Sequence, residues 1–419
     1  MIGRLLALRH NDFVRHNVVF FIGSTAVSIL NYLYHPVLSR MMSVEDFGET
    51  QALFSLVSLA AIPIGVFNVV ALNLYANGHT AQDTPVRDTS LFLAYLTGVS
   101  TLLILCLSPW LTQELKITSA WNIIFVAGIV LLTGAGIFGR AHLQAQRDFI
   151  RTSLINLFIS GGKLLCAVAL VLLGYASMGA IAALFLATLA TLLFTHRLVR
   201  DSMAFPCTIR LRLSPELRRE LRFGFLVLCG TGTTAFFSTA DVTIAKYLFS
   251  PEIAGLYAGV SIVARILFFA TGSVAGVLLA HVTLATPEAK NVRLLTHALL
   301  ITTFIAGPGL LILIFAPRTA LGLLLGTEYA GVAYLLPILA LHTYTISLLN
   351  VCTMYALALR KKYGIILLCL GVLTTLGFLI LAHARPLDIA LAFLMGSAVS
   401  LVLCLAASLV HRESASVAL

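Results

Sequence analysis

The chain has 419 residues, of which 59% are hydrophobic and only 11% are charged, and its mean hydropathy is +1.00. Soluble domains carry about 25% charged residues, so this composition excludes an ordinary soluble protein. The apolar runs of about 18 to 25 residues are long enough to cross a bilayer as helices and too long for the strands of a membrane β-barrel. The sequence therefore predicts an all-α polytopic membrane protein.

Apolar runs separated by polar breaks predict about twelve spans. Their approximate ranges are 17–38, 48–72, 89–111, 120–142, 152–173, 178–196, 223–247, 254–280, 294–316, 331–356, 364–382 and 389–410. The longest segment between spans, 197–222, is far shorter than a catalytic domain of about 100 residues. The function is therefore expected to reside in the helices.

Lysine and arginine lie mainly on the side of the spans that holds both termini and the segment 197–222. The opposite side holds only Arg40, Lys116, Arg318 and Arg385, with Lys246 near its edge. By the positive-inside rule, both termini are expected in the cytoplasm. This asymmetry explains most of the net charge of +10, so nucleic acid is not an expected partner.

Motifs for catalysis or metal binding are not recognisable. The seven cysteines show neither a disulfide framework nor metal-ligand spacing. The segment 161–163 resembles the end of a phosphate-binding loop, but Leu157 stands where that motif needs glycine and Leu164 where it needs serine or threonine. We therefore expect no catalytic residues, no metal and no cofactor, and we do not expect an enzyme.

A short pattern recurs in the two halves of the chain, first with an offset of 207 residues and later with an offset of 213. The matched pairs are Ser43 and Ser250, Glu45 and Glu252, Gly48 and Gly255, Gly65 and Gly272, Ala145 and Ala358, and Arg147 and Arg360. An offset of six spans preserves orientation, as in parallel-repeat transporters. We predict an N-terminal six-helix lobe at 1–196, a basic cytoplasmic linker at 197–222 and a C-terminal six-helix lobe at 223–419.

Polar residues form stripes at helical spacing within several spans. The first span carries Ser24, Ser28, Asn31 and His35, the seventh carries Thr231, Thr234, Ser238 and Asp241, and the tenth carries Thr343, Ser347 and Asn350. Such stripes avoid lipid, so they indicate either hydrogen bonds between helices or a polar cavity between the two halves. Both interpretations remain open for each stripe.

Two cations are predicted near the bilayer midplane, one in each half. Lys163 in the fifth span and Arg265 in the eighth lie about 15 Å from opposite surfaces. Asn156 and Ser160 share the face of Lys163, and Ser261 lies one turn from Arg265. Because a charge at the bilayer centre costs about 2.5 to 3.5 kcal/mol, these cations indicate a site for a negatively charged group such as phosphate.

Asp241 is the only acid that the sequence places clearly inside a span. It either forms a structural ion pair with Arg265, which neutralises both charges, or has a function, in which it positions Arg265 or titrates during transport. Lys163 has no predicted acid at its depth in its own half, which makes it the strongest site candidate. The alternative for Lys163 is a side chain that reaches the membrane surface or bonds a backbone carbonyl.

Two regions of the chain resemble the polysaccharide flippases, the Wzx-type branch of the multidrug/oligosaccharidyl-lipid/polysaccharide (MOP) exporter superfamily. The first is the sequence LSR at 38–40 followed by VEDFG at 44–48. The second begins with DVTI at 241–244 and continues with SPE at 250–252 and Gly-Leu-Tyr at 255–257. With twelve predicted spans and duplicated halves, the resemblance covers essentially the whole chain.

The resemblance implies a MATE-like fold, with two six-helix lobes around a cavity that opens alternately to each side. It implies movement of polyprenyl-diphosphate-linked oligosaccharides across the bacterial inner membrane for O-antigen, capsule or exopolysaccharide synthesis. The implied partners are this lipid-linked substrate, the membrane lipids and a glycan polymerase. The assignment of Lys163 and Arg265 to the substrate site rests on their depth and charge, together with the polar residues Asn156, Ser160, Asn31, Ser28 and Asn350.

Two other functions remain open at this stage. A cation-coupled multidrug exporter would share the fold, but its cavity should be acidic or aromatic, and the midplane excess of cations argues against it. A membrane-embedded glycan polymerase or ligase needs catalytic side chains at the outer face. The longest predicted outer loop, about 317–330, is short for that purpose.

Overall fold

A computed structural model of the chain describes residues 12–146, 149–199, 215–282 and 287–409, with side chains left out at 12–25 and at a few positions beside the gaps. This part of the chain folds into helices joined by short connections. By contacts it divides into two compact units, residues 1–224 and 225–419.

The first unit contains seven helices among the described residues. They are α1 Asp12–Ser39, α2 Val44–Ala76, α3 Thr84–Cys106, α4 Ser108–Glu114, α5 Ala120–Ala145, α6 Phe149–Leu172 and α7 Ala176–Val199. Helix α8, Pro215–Leu248, leads into the second unit. The predicted linker 197–222 is thus helical at both of its ends, and residues 200–214 lie outside the described residues.

The second unit continues with α9 and ends with α15. Its elements are α9 Pro251–Ala264, α10 Ile266–His281, α11 Glu288–Phe315, α12 Pro317–Leu324, a 3₁₀ helix Thr327–Leu335, α13 Leu336–Ala358, α14 Lys362–Leu381 and α15 Pro386–Leu409. Within the described ranges, ten helices are long and apolar enough to cross a bilayer, and α9 with α10 makes eleven when taken as one bent span. The predicted all-α, polytopic fold class is confirmed, and the predicted first span lies on α1.

Two predicted spans are each divided into two helices next to a proline. The span predicted at 89–111 is interrupted at Leu107, after which the short helix α4 starts with Pro109 in its first turn. The span predicted at 331–356 begins as a 3₁₀ helix, and α13 starts just before Pro337. Proline lacks an N–H group and suits the first turn of a helix, so these prolines start new helices instead of bending existing ones.

The second helix of each unit begins with the same cap. Ser43 precedes α2 with φ −61° and ψ 158°, and its hydroxyl accepts a hydrogen bond from the N–H of Asp46. Ser250 precedes α9 with φ −63° and ψ 155°, and its hydroxyl accepts from the N–H of Ile253. A serine cap satisfies an N–H group that the helix leaves unbonded. The residues that mark the repeat in the sequence therefore start equivalent helices.

The packing within each unit repeats as well. Helix α5 packs against α2, α3 and α7 in the first unit, and α13 packs against α10, α11 and α15 in the second. The pair α6 and α7 corresponds in the same way to α14 and α15. Element order and neighbours thus agree between the units, and the predicted internal repeat is confirmed.

Candidate functional site

Lys163 lies in the interior of α6, about 14 Å from the end of that helix at 1.5 Å per residue. Its side chain is half-buried, and Nζ donates a hydrogen bond to Oδ1 of Asn31 on α1 at 2.9 Å. Helices α1 and α6 pack side by side, which brings together two residues 132 positions apart in the chain. The structure therefore joins two of the predicted site residues.

Two aromatic rings complete the surroundings of the Lys163 ammonium. Nζ lies 4.5 Å from the ring centroid of Tyr34 and 5.8 Å from that of Phe54. The ring of Tyr34 is held in place because its buried hydroxyl donates to the carbonyl of Ala180 at 3.2 Å. Aromatic faces attract cations, so these rings stabilise the ammonium without neutralising it.

The cluster formed by Lys163, Asn31, Tyr34 and Phe54, called here the lysine site, carries a net positive charge. Within the described part of the chain, no carboxylate oxygen lies within 4.0 Å of Nζ. An ammonium has three N–H donors, and the amide oxygen of Asn31 accepts one of them. The remaining donors are available to an anion.

The other predicted members of this site lie on the same helices without bonding to Lys163. Ser28 is half-buried on α1, and on α6 Asn156 is half-buried and Ser160 is buried. Helical spacing places Asn156 and Ser160 on the face of α6 that carries Lys163. For these side chains, no hydrogen bond to Lys163 is found among the described residues. Their role in substrate binding stays a prediction.

The polar stripe of α1 makes a second contact between helices. Nε2 of Gln51 on α2 donates to Nδ1 of His35 at 2.9 Å, which assigns the acceptor role to that ring nitrogen. The His35 ring also packs edge-on against Tyr34, with centroids 5.5 Å apart. At His35 the stripe therefore serves to join helices, whereas at Asn31 it contacts the cation.

Arg265 and Asp241 form an ion pair in the second unit. Nη2 of Arg265 donates to Oδ1 of Asp241 at 2.7 Å, and the hydroxyl of Ser261 donates to Oδ2 at 2.6 Å. The side chain of Asp241 is 2% exposed and that of Arg265 is 13% exposed. The two side chains are therefore paired as the sequence suggested, and a role of Asp241 in transport stays a prediction. The pair is neutral, and Arg265 keeps further N–H groups that do not bond to Asp241.

Arg265 also lies at a break in its span. Helix α9 ends at Ala264, α10 begins at Ile266, and the two axes differ in direction by 42°. The backbone hydrogen bonds continue on both sides, from Arg265 N to Ser261 O and from Phe269 N to Arg265 O. The span predicted at 254–280 is therefore bent at its centre, where the sequence has neither proline nor glycine.

A buried histidine ties together three helices near this pair. Nε2 of His342 on α13 donates to the carbonyl of Phe237 on α8 at 3.0 Å, and Nδ1 lies 3.0 Å from the hydroxyl of Ser397 on α15. The imidazole ring packs edge-on against the ring of Phe393. These contacts give His342 a role in packing the second unit.

Most hydroxyl residues of the predicted stripes bond to their own helix. The following residues donate to the carbonyl four positions earlier: Thr231, Thr234, Thr343 and Ser347. Such bonds satisfy the hydroxyl group within its own helix. Asn350 is half-buried one turn beyond Ser347 on α13. Its place in a substrate site stays a prediction.

A buried acid that the sequence analysis missed lies on α2. Glu49, in the second turn of α2, is 1% exposed, and its carboxylate accepts four hydrogen bonds. The donors are the backbone N–H and hydroxyl of Thr118, the amide of Asn122 at 2.6 Å and the hydroxyl of Ser177 at 3.0 Å. These bonds join α2 to the starts of α5 and α7. A glutamate close to a predicted helix end gives no sign of such burial.

Glu49→Gln should lower the free energy of unfolding by about 2 kcal/mol, because a neutral amide accepts more weakly and turns its own N–H groups towards donors. A lower midpoint of thermal unfolding in detergent measures this effect. The exposed Glu45→Gln on the same helix is the matched control and should leave the midpoint unchanged. Equal midpoints for both variants contradict a structural role of Glu49.

The fold resembles solved structures of MOP-superfamily transporters. The lipid II flippase MurJ in an inward closed conformation superposes with a TM-score of 0.66 at 15% identity, covering 93% of this chain and 87% of that one. An inward-facing multidrug resistance MATE transporter of the MOP superfamily gives 0.61 at 16% identity, covering 94% and 96%. The eukaryotic MATE transporter AtDTX14 gives 0.59 at 16% identity, covering 95% and 97%. The chain therefore has the MATE-like fold that the resemblance implies.

The family follows from the sequence itself. The model of the family described as polysaccharide biosynthesis protein matches residues 37–334, which is most of the chain. The protein belongs to this family. The resemblance to the polysaccharide branch of the MOP superfamily is thus confirmed for family and fold. A comparison with curated proteins gives no match.

Proposed function

We propose that this multi-pass membrane protein is a flippase that moves polyprenyl-diphosphate-linked oligosaccharide units across the inner membrane by alternating access. The units would be used to build a cell-surface polysaccharide such as O-antigen, capsule or exopolysaccharide. The observation that carries the proposal is the lysine site, where a cation inside a membrane helix contacts only neutral groups among the residues that the structure describes. The family match to polysaccharide biosynthesis proteins supports the class of substrate.

The chemistry of the lysine site fits a diphosphate. A lysine ammonium binds phosphate oxygens as a point charge, and the two donors of Lys163 not bonded to Asn31 can reach such oxygens. Because an isolated charge in a membrane helix costs about 2.5 to 3.5 kcal/mol, a site without a counter-ion favours an anionic ligand. The polar residues Ser28, Asn156 and Ser160 are proposed to contact the sugars, while the polyprenyl tail stays in lipid.

The remaining features of the proposal follow from the charge distribution and the family resemblance. Both termini would lie in the cytoplasm, because lysine and arginine are concentrated on their side. The lobes themselves would perform the transport without catalytic residues, and a glycan polymerase would use the translocated units. Asp241 is proposed as the charge partner of Arg265, and through it as a point where a coupled ion could act.

Mass spectrometry of lipid extracts from cells depleted of the protein tests the proposal. A complete but unpolymerised polyprenyl-diphosphate oligosaccharide should accumulate, should be inaccessible to a probe added outside the cells, and should disappear when the wild-type gene is restored. The mass would also identify the sugar. No accumulation together with reduced export of cationic dyes would contradict the proposal and favour a drug exporter. Normal amounts of the lipid-linked unit with shorter polymer chains would favour a polymerase.

A further inference from the structure

The first unit contains a cavity of about 90 Å³ that is separate from the lysine site. It lies between α5, α6 and α7, and its polar lining consists of Arg140 and the threonines at positions 133, 188, 191 and 195. One water molecule needs a cavity of about 10 to 15 Å³, so this cavity has room for a group with several heavy atoms.

Arg140 is the charged residue that lines this cavity. Its Nη2 donates to the carbonyl of Thr133 on the same helix at 3.4 Å, a long bond. Over the described ranges, no carboxylate oxygen lies within 4.0 Å of the guanidinium, although arginine has five N–H donors in a planar fork. The guanidinium is thus a partly buried cation with N–H groups that can donate to a ligand.

Helix α7 contributes three threonines to the lining of the cavity. The hydroxyls of Thr188 and Thr191 donate to carbonyls of their own helix at 2.7 Å, whereas the buried hydroxyl of Thr195 has no hydrogen-bond partner among the described residues. A buried hydroxyl without a partner costs free energy. One cavity therefore contains two kinds of donor that can bind a ligand, the hydroxyl of Thr195 and the N–H groups of Arg140.

The position of the cavity along the helices points to a membrane lipid. Arg140 lies about 8 Å before the end of α5, and Thr195 about 6 Å before the end of α7, at 1.5 Å per residue. Both helix ends are on the predicted cytoplasmic side, where lipid phosphates lie just outside the hydrocarbon. Apolar side chains of Leu132, Ile159 and Leu192 line the rest of the cavity and suit the first carbons of a lipid chain.

We propose that this cavity binds the phosphate group of a lipid. Arg140 would hold two phosphate oxygens in its planar fork, and the hydroxyl of Thr195 would donate to a phosphate oxygen. Two lipids share this chemistry: a bilayer phospholipid and an isoprenoid diphosphate of the kind proposed above as carrier. The cavity is lined by residues that the lysine site does not use, so the inference does not depend on the proposed function.

Native mass spectrometry of the purified full chain in detergent tests the inference. Three probes are titrated: phosphatidylglycerol, undecaprenyl diphosphate and, as a lipid without phosphate, diacylglycerol. Arg140→Gln should weaken binding of the preferred phosphate lipid about tenfold, because it removes charge-assisted hydrogen bonds. The preferred probe identifies the source of the phosphate.

Control variants separate binding from folding. Thr195→Val keeps the shape of the side chain and removes only the unsatisfied hydroxyl, so it should fold normally and weaken binding severalfold. Arg293→Gln removes an exposed cation on α11 and should leave binding unchanged. Undecaprenyl diphosphate would also bind at the lysine site, so its titration is repeated in Lys163→Gln, where the remaining binding that Arg140→Gln weakens belongs to this cavity. A failure of the proposed function is thereby kept apart from a failure of this site. Equal binding to wild type and Arg140→Gln, or equal binding of diacylglycerol, overturns the inference.

Discussion

Lys163→Ala should reduce export of the lipid-linked oligosaccharide at least tenfold while the amount of folded protein stays near the wild-type level. A charge-assisted hydrogen bond to phosphate contributes about 1.5 to 3 kcal/mol, which corresponds to a tenfold or larger effect. Folding should be little affected, because Lys163 has no ion-pair partner among the described residues. Its removal therefore leaves no buried carboxylate unpaired there. Surface polysaccharide in a complemented deletion strain, normalised to membrane protein, measures export.

Two further variants control this experiment. Lys163→Arg keeps the positive charge and should retain part of the export, although its larger planar head fits the space beside Tyr34 less well. Lys362→Ala removes an exposed lysine at the start of α14 and should have no effect. Wild-type export by Lys163→Ala would exclude the lysine site as the anion site.

Breaking the ion pair of the second unit should destabilise the protein strongly, and removing both charges should restore most of the stability. Asp241→Asn leaves the cation of Arg265 without its partner, and Arg265→Gln leaves the buried carboxylate of Asp241. Removing one partner of a buried pair costs about 3 to 5 kcal/mol, whereas neutral replacement of both is often tolerated. Midpoints of thermal unfolding for the two single variants and the double variant measure the coupling.

Additive losses in the double variant would show that the two charges do not stabilise each other. Export by the folded double variant also tests Arg265 as a substrate ligand, as its depth and charge predict. Loss of export despite recovered stability would support that role through the N–H groups not bonded to Asp241. Retained export would contradict it and assign Arg265 to the fold.

The spans and the repeat could be predicted because they depend on local pattern. Uninterrupted apolar length is enough to identify helices that cross a bilayer. The repeat was recognised from matching residues such as Ser43 and Ser250. The structure explains why serine occurs at both positions, since each hydroxyl caps a helix. Lys163 and Arg265 could also be identified as site candidates, because charged residues are rare inside spans.

The surroundings of these charges could not be predicted, because they come from residues far apart in the chain. Tyr34 and Phe54 belong to other helices than Lys163, and aromatic residues are too common in spans to attract attention. The break at Arg265 could not be predicted either, because no proline or glycine lies at that point of the sequence. Glu49 is close to a helix end, where an acid is ordinarily solvated, and only the tertiary structure buries it.

The most direct test of the central claim is translocation by the purified protein in proteoliposomes. A labelled polyprenyl-diphosphate oligosaccharide is placed in the membrane, and an enzyme that cannot cross the bilayer reports how fast the sugar reaches the other leaflet. Wild-type protein should accelerate this transfer well above protein-free liposomes, and Lys163→Ala should be reduced at least tenfold towards that background. Transfer no faster than in protein-free liposomes, or equal rates for wild type and Lys163→Ala, would contradict the claim that the lysine site carries the diphosphate.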